Sequence, residues 1–405
     1  MTRILGCCRA AGAECKTVPG LAEIIQGVGL AGQMREVAFE DLLGRKPVRL
    51  EVGRIHDALH GKVVMITGAA GSIGSELCRQ IATFEPAGIV GFEIAESPLF
   101  EVEREMRQKF PKARFYPEIG SVQNPARLDE VMGRYRPAVV YHAAAYKHVP
   151  LMETHLFEAV ENNILGAWNL AEAATRHGVE DFVLISSDKA VRPGSVMGAT
   201  KRVAEMILCA LQNGGTKFVA VRFGNVLGSA GSVVPIFKKQ IAAGGPVTVT
   251  HPDMRRFFMT IPEACQLVLQ AAAIAKGGQI CVLDMGEQIR IVDLARTLIL
   301  LSGLRPEKDI KIEYTGMRPG EKLYEEVSTV LEDTIPTAHE KVRIYVGSGT
   351  PEPDIVKRIE GFREICRSRD AGRMVLALKE MVPDYSPSTY LMKRLIESRD
   401  RHFVS

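Results

Sequence analysis

The sequence predicts an α/β protein: a doubly wound parallel sheet followed by a smaller C-terminal substrate-binding portion. Three observations carry that expectation. An apolar, β-branched run from Lys62 to Thr67 leads straight into Gly68, Gly71 and Gly74, and a helix-forming stretch, Glu76 to Ala82, follows at once. From Gly61 to about Gly224, continuous apolar runs alternate with amphipathic ones, the pattern of parallel strands covered by helices on both faces. The bulk properties suit a large packed core: 405 residues, 46% hydrophobic, and a net charge of +3 with both signs interspersed.

Taken in order, residues 1–60 read as a mixed arm. Arg9 interrupts the short apolar patch after Arg3, against a secretory signal. Asp41 to Arg45 carries no catalytic signature and suits an oligomer contact or the remnant of something longer. Strands are expected at Val63–Thr67, Ile89–Glu93, Arg114–Ile119, Ala138–His142, Phe182–Ser186 and Phe218–Phe223. Between them, helices are expected at Pro98–Lys109, Ala126–Tyr135, Phe157–His177 and Met197–Leu211. From Gly224 to Pro235 the chain turns glycine- and serine-rich, a texture that builds sites. Shorter elements follow, with helices near Pro262–Lys276 and Ile291–Ser302. The organisation predicted is thus an arm over 1–60, a main domain over 61–330 whose sheet part ends near 224, and a peripheral helical appendix over 331–405.

Strand, glycine turn and helix start together form a dinucleotide-binding fingerprint of Rossmann type. Gly68 permits the turn, Gly71 lets the backbone approach the pyrophosphate, and Gly74 lets the helix pack close on the sheet. Ser72 and Ile73, at the helix start, present N–H groups to an anion. Glu93 closes the next strand where a carboxylate can accept from a ribose 2′-hydroxyl and repel a 2′-phosphate, which favours NAD. No basic stripe suggests nucleic acid, and no apolar run approaches the roughly 20 residues of a membrane span. Eight cysteines without a C-x-x-C pair suit buried free thiols in a reducing compartment, the cytoplasm, rather than a metal site.

The strand at 182–186 runs into Ser186-Ser187-Asp188-Lys189, at the sheet edge where ligands of such folds bind, and Lys201 sits one helical turn past Met197. Here the chain resembles the extended short-chain dehydrogenases/reductases, whose site has a Ser or Thr followed by Tyr-x-x-x-Lys; Met197 stands at the tyrosine position. Further motifs are His142 to Glu153, Asp188-Lys189-Ala190, Arg222 to Asn225, Arg256 to Met259 and Arg318 to Lys322. Over roughly 15–345 these resemble the nucleotide-sugar 4,6-dehydratases of bacterial polysaccharide biosynthesis, in particular the UDP-N-acetylglucosamine 4,6-dehydratases of capsule and protein-glycosylation type. Larger members carry a membrane-spanning region and another domain ahead of this one, which would make residues 1–60 the tail of such a domain and this chain a soluble short form.

The resemblance implies oxidation at C4 with NAD, loss of the C5 proton and of water from C6, and hydride return to C6. It implies that Ser187 bonds the C4 oxygen, that Asp188 and Lys189 move the C5 and C6 protons in an undivided partnership, and that Lys201 holds the nicotinamide ribose. It adds Ala143 to the cofactor site and Lys147, Asn225, Arg256, Arg318 and Glu321 to the substrate site, and it implies a homo-oligomer. Ser121 departs from an Asp that the family often has facing adenine. His142 and His148 read as structural. Two rivals remain: a C4 epimerase on the same fold, disfavoured by Met197, and a non-catalytic nucleotide-binding module, disfavoured by Asp188, Lys189 and Lys201.

Overall fold

A computed structural model describes residues 48–212, 215–325, 334–348 and 354–403, with 398–403 as backbone only. It also describes a short antiparallel pairing of Lys16–Thr17 with Arg35–Glu36. The segment 41–45, Cys7 and Cys8 lie outside the described residues. By internal packing the chain divides into a larger unit (Leu50–Gly224, Ala264–Met285, Met317–Ser405) and a smaller one (Met1–Arg49, Asn225–Glu263, Gly286–Gly316).

The larger unit is built on a nine-stranded sheet. Its strands run in the spatial order Thr334–Pro336, Val342–Tyr345, Gln279–Leu283, Lys217–Arg222, Asp181–Ile185, Val139–His142, Val63–Thr67, Gly88–Glu93, Phe115–Ile119. All neighbours are parallel except at Val342–Tyr345, which pairs antiparallel with both of its own. The chain steps outward from Val63–Thr67 through two strands, then returns to the other side of the first at Val139–His142. That reversal makes a topological switch point, where a crevice opens beyond the strand ends. The central strands are buried on both faces: Val64, Met65 and Ile66 are fully covered, as continuous apolar strands between helical layers must be.

The expected strands are all present, shifted by at most one residue at either end. The expected helix Phe157–His177 is instead interrupted: Leu156–Val160 and Gly166–Arg176 are α-helical, and Glu161–Leu165 between them is a π-helical turn. Asn162 and Asn163 lie in this turn, both buried, where a polar side chain needs hydrogen-bond partners.

The segment 225–330 does not remain together. Gln279–Leu283 completes a ladder beside Lys217–Arg222 and so joins the large sheet. The described residues from 334 onward contribute to the sheet and core of the larger unit. Two of the strands extend the sheet, and helices Ile355–Ser368 and Ala371–Met381 bury Phe362, Met374 and Leu378 in one core with Trp168, Met197 and Val203. A second core, around Phe92, Phe182 and Phe218, also lies in this unit. In the smaller unit, Arg255–Met259 pairs with Gln288–Arg290 and with Asn225–Val226, and Val247–Val249 pairs with Ile312–Tyr314.

The described cysteines are free thiols and mostly buried, as expected. Among the described residues no helix is long and apolar enough to cross a membrane, and no group of side chains is arranged to hold a metal ion.

Phe362→Ala should cost about 3–5 kcal/mol by opening a cavity in the shared core. Urea unfolding should show a lower midpoint, and emission from Trp168, the chain's single tryptophan, should shift to the red. An unchanged midpoint would show that these helices contribute little to that core.

Candidate active site

At the switch point, Gly68 turns the chain with φ +68°. A Cβ on Gly74 would lie 2.0 Å from the Gly68 carbonyl oxygen, so helix Ser72–Ala82 seats against the turn only because residue 74 has no side chain. The loop after Val139–His142 closes the other side: the Ala143 amide donates to the Thr67 carbonyl at 3.1 Å. Gly68, Gly71, Ser72, Ile73, Gly74 and Ala143 are thereby brought together around an uncapped helix N-terminus, whose N–H groups and dipole favour an anion. The Glu93 carboxylate sits at the rim, accepting from the amides of Ala70 (3.2 Å), Ile94 (2.9 Å) and Ala95 (3.1 Å). A side-chain-free cradle with a carboxylate beside it fits a dinucleotide. Ser121 lies in the turn after Phe115–Ile119 and accepts from the Gln123 amide. His142 is buried, with Nδ1 2.8 Å from the Thr67 hydroxyl. Burial, reinforced by Lys201, pulls its pKa down to about 3, so the ring is neutral and structural.

The catalytic candidates follow the strand Asp181–Ile185. Its ladder continues past the strand end, since the Ser186 amide donates to the Val221 carbonyl and the Asp188 amide to the Phe223 carbonyl. Asp188–Ala190 then closes a 3₁₀ turn. Asp188 Oδ1 accepts from both the Ser187 hydroxyl and Lys189 Nζ at 2.9 Å. Its Oδ2 is buried and has no partner among the described residues. Ser187, Asp188 and Lys189 therefore form one hydrogen-bonded chain with an acceptor in reserve.

Lys201 projects from helix Val196–Leu211 and donates to the Ile185 carbonyl at 2.9 Å. Burial lowers its pKa to about 8, against an opposing pull from Glu205. Met197 is buried in the shared core, so the position expected for tyrosine holds no proton donor.

The structure also reveals residues that the sequence reading passed over. A Cβ on Gly198 would lie 2.3 Å from the Lys189 carbonyl oxygen, so this glycine sets how closely the Lys201 helix meets the catalytic turn. Asn163, in the π turn, accepts from the Tyr146 amide (2.9 Å) and donates to the Tyr146 carbonyl (3.0 Å) and the Thr200 hydroxyl (3.1 Å). Buried Glu205 accepts from Ser186 (2.6 Å), from Arg222 through both oxygens (2.7 and 2.6 Å) and from Arg202 (3.1 Å). Burial pushes the Glu205 pKa up, but the two guanidinium groups and the hydroxyl outweigh it and hold the carboxyl below its usual range. Glu325 places a carboxylate 3.6 Å from Lys189 Nζ. Asparagines and a glutamate inside otherwise apolar helical stretches were the available sequence signals.

The substrate candidates are divided between the two units. Lys147 is exposed in the loop beyond Val139–His142. Arg318 and Glu321 bind each other: the guanidinium donates to the carboxylate at 2.6 and 3.0 Å, and the Arg318 amide donates at 3.1 Å. Asn225 and Arg256 belong to the smaller unit, on adjacent strands of its three-stranded sheet.

Comparison with known proteins adds to this geometry. A family model described as "Polysaccharide biosynthesis protein" matches residues 64–346. The probable polysaccharide biosynthesis protein EpsC of Bacillus subtilis is 52% identical over 373 residues, covering 92% of this chain and 62% of that protein. This chain thus spans less than two thirds of that relative's length. The X-ray structure of Pen from Bacillus thuringiensis aligns with TM-score 0.66 and 34% identity, covering 73% of this chain and 90% of that one. DesIV, a dTDP-glucose 4,6-dehydratase from Streptomyces venezuelae solved with NAD bound, aligns with TM-score 0.58, covering 76% of this chain and 98% of that one. At 18% identity that last likeness shows a common fold.

Arg222→Leu should destabilise the protein by about 3–5 kcal/mol, because it leaves the Glu205 carboxylate buried without its main partner. Chemical denaturation measures this, and a loss below about 1 kcal/mol would mean that Arg202 alone suffices to hold the charge.

Proposed function

Since the chain belongs to the polysaccharide biosynthesis protein family, we propose that it dehydrates a nucleotide sugar, UDP-N-acetylglucosamine, to the 4-keto-6-deoxy sugar nucleotide for glycan assembly. One observation carries this reading. The proton-handling groups, Ser187, Asp188 and Lys189, form a hydrogen-bonded chain at a strand end, while the tyrosine position is filled by a buried methionine. A C4 epimerase with this site would lack its usual proton donor.

The glycine turn, Ser72, Ile73, Ala143 and Glu93 would hold NAD, which supplies a reversible hydride acceptor, so the overall change is loss of water without net oxidation. Ser187 positions the C4 hydroxyl oxygen. Asp188 and Lys189 take up the C4 hydroxyl proton as C4 is oxidised, remove the C5 proton, deliver one proton to the C6 oxygen, which leaves as water, and return one to C5 when the hydride comes back to C6. Their shared hydrogen bond lets a proton lost by one be restored through the other. Lys201 places a positive charge beside the ribose and the developing C4 oxyanion, where a low dielectric makes it effective. Lys147, Asn225, Arg256, Arg318 and Glu321 are the candidates for the sugar and diphosphate, with guanidinium forks suited to phosphate oxygens.

Incubation with UDP-N-acetylglucosamine in D₂O, followed by mass spectrometry and proton NMR, should show loss of one water and deuterium at C5. An unchanged mass with a new C4 epimer would overturn the assignment. Lys189→Ala and Asp188→Asn should each abolish turnover while NAD stays bound, and wild-type turnover in either would refute the proton roles.

The pH dependence follows from Lys201. Its folded pKa near 8 lies below the ordinary 10.5, so the ammonium is complete below about pH 8 and is lost from the folded protein as pH rises through it. The burial cost is therefore fully present below pH 8 and is relieved between 8 and 10.5, a gain in stability. The positive charge in the folded protein disappears as pH rises through about 8, ahead of the full stability gain. Turnover should fall on an alkaline limb centred near pH 8, and a pH–rate profile flat to pH 10 would exclude the charge requirement.

A further inference from the structure

Residues 190–196 connect Lys189 to the helix carrying Lys201, and their course determines the spacing of the two lysines. This connection is fastened from distant parts of the chain. Lys322 Nζ donates to the Arg192 carbonyl at 2.7 Å. The Ser386 amide donates to the Pro193 carbonyl at 2.9 Å. The Val196 amide, first in the Lys201 helix, donates to Glu153 Oε1 at 2.7 Å. The other oxygen of Glu153 accepts a short hydrogen bond from the Ser388 hydroxyl. Ser388 in turn accepts from the Leu391 amide at the start of the last helix.

Glu153 is entirely buried. Burial pushes its pKa up, and the bonds from Ser388 and Val196 oppose this. A buried carboxylate is costly unless its oxygens are bonded, and here one amide and one hydroxyl meet it, with a helix N-terminus to favour its charge. The fit is close, because a Cβ on Gly320 would lie 2.8 Å from Glu153 Cγ. Ser195 already caps the same helix by accepting from the Gly198 amide. Glu153 therefore adds more than an ordinary cap: it joins that helix to the C-terminal segment.

We propose that Glu153 is a positioning residue which, by bridging Val196 and Ser388, makes the segment 384–391 a structural member of the active site and sets the distance between Lys189 and Lys201. The kinetic part of this proposal rests on the proposed function; the structural part does not.

The test uses the full chain with NAD bound and compares Glu153→Ala, Glu153→Gln and Ser388→Ala. Hydrogen exchange of a peptide covering 190–200 reads the bridge without reference to turnover. Glu153→Ala and Ser388→Ala should each speed that exchange about tenfold, as expected for loss of one hydrogen bond. Turnover of UDP-N-acetylglucosamine should fall by a similar factor, with KM within about threefold of wild type because the sugar contacts remain. Glu153→Gln should restore both, since its amide oxygen can accept from Val196 and its amide nitrogen can donate to the Ser388 hydroxyl.

Wild-type exchange and kcat in Ser388→Ala would overturn the proposal even if Glu153→Ala fails to fold. Equal impairment of Glu153→Gln and Glu153→Ala would also overturn it, by showing that charge or packing is what matters. Faster exchange in the variants of a wild-type protein that turns over no UDP-sugar would sustain the bridge and reject the dehydratase reading.

Discussion

Glu205 supports the framework from which Ser187, Asp188, Lys189 and Lys201 project. Its carboxylate lies in the interior, where an uncompensated charge would cost several kcal/mol, and it is held by Ser186, Arg222 and Arg202 together. Ser186 follows the strand Asp181–Ile185, Arg222 ends its neighbour Lys217–Arg222, and Glu205 and Arg202 come from the Lys201 helix. The ends of two strands and one helix are thus fixed to a common point. The Arg222 guanidinium also lies 4.6 Å from the Tyr345 ring centroid, which adds the strand Val342–Tyr345 to the same assembly. With these ends fixed, the next residues in the chain, Ser187 to Lys189, have little freedom in where they emerge.

The position of Lys201 follows from the same framework. Its helix approaches the catalytic turn as closely as the missing side chain of Gly198 allows, and its ammonium meets the carbonyl of Ile185 in a setting too dry to hold the proton at its ordinary strength. Glu205, on the same helix, opposes that loss through its charge. Met197 turns away into the core with Trp168 and Phe362, so no proton donor stands at its position. Apolar packing on one face of the helix and buried charge near the other separate structural from chemical work within a single element.

The C-terminal helices illustrate the limits of reading function from motifs. Residues 355–403 contain no recognisable chemistry, yet they complete the core behind Met197, and the turn ahead of the last helix reaches the connection between the two lysines through Ser386 and Ser388. The contact with that connection is made by a backbone amide and a hydroxyl, which leave no signature in the sequence. The π turn at Glu161–Leu165 is similar: two asparagines are conspicuous in a helical stretch, but their spatial partners, Tyr146 and Thr200, are not.

The parallel sheet, the glycine turn, the acidic strand end and the Ser187-Asp188-Lys189 turn are legible in the order of residues alone. These depend on local periodicity, on backbone freedom at particular glycines and on contiguous residues, all of which survive in one dimension. The sequence also supported the exclusion of Met197 from proton transfer, because a thioether has no proton to give. Folding in three dimensions is what joins two strand ends to a helix through Glu205, sets the approach of that helix at Gly198, and brings Ser388 to Glu153. Each of these depends on contacts between groups far apart in the chain, with energies set by burial and hydrogen-bond satisfaction, which no local pattern specifies.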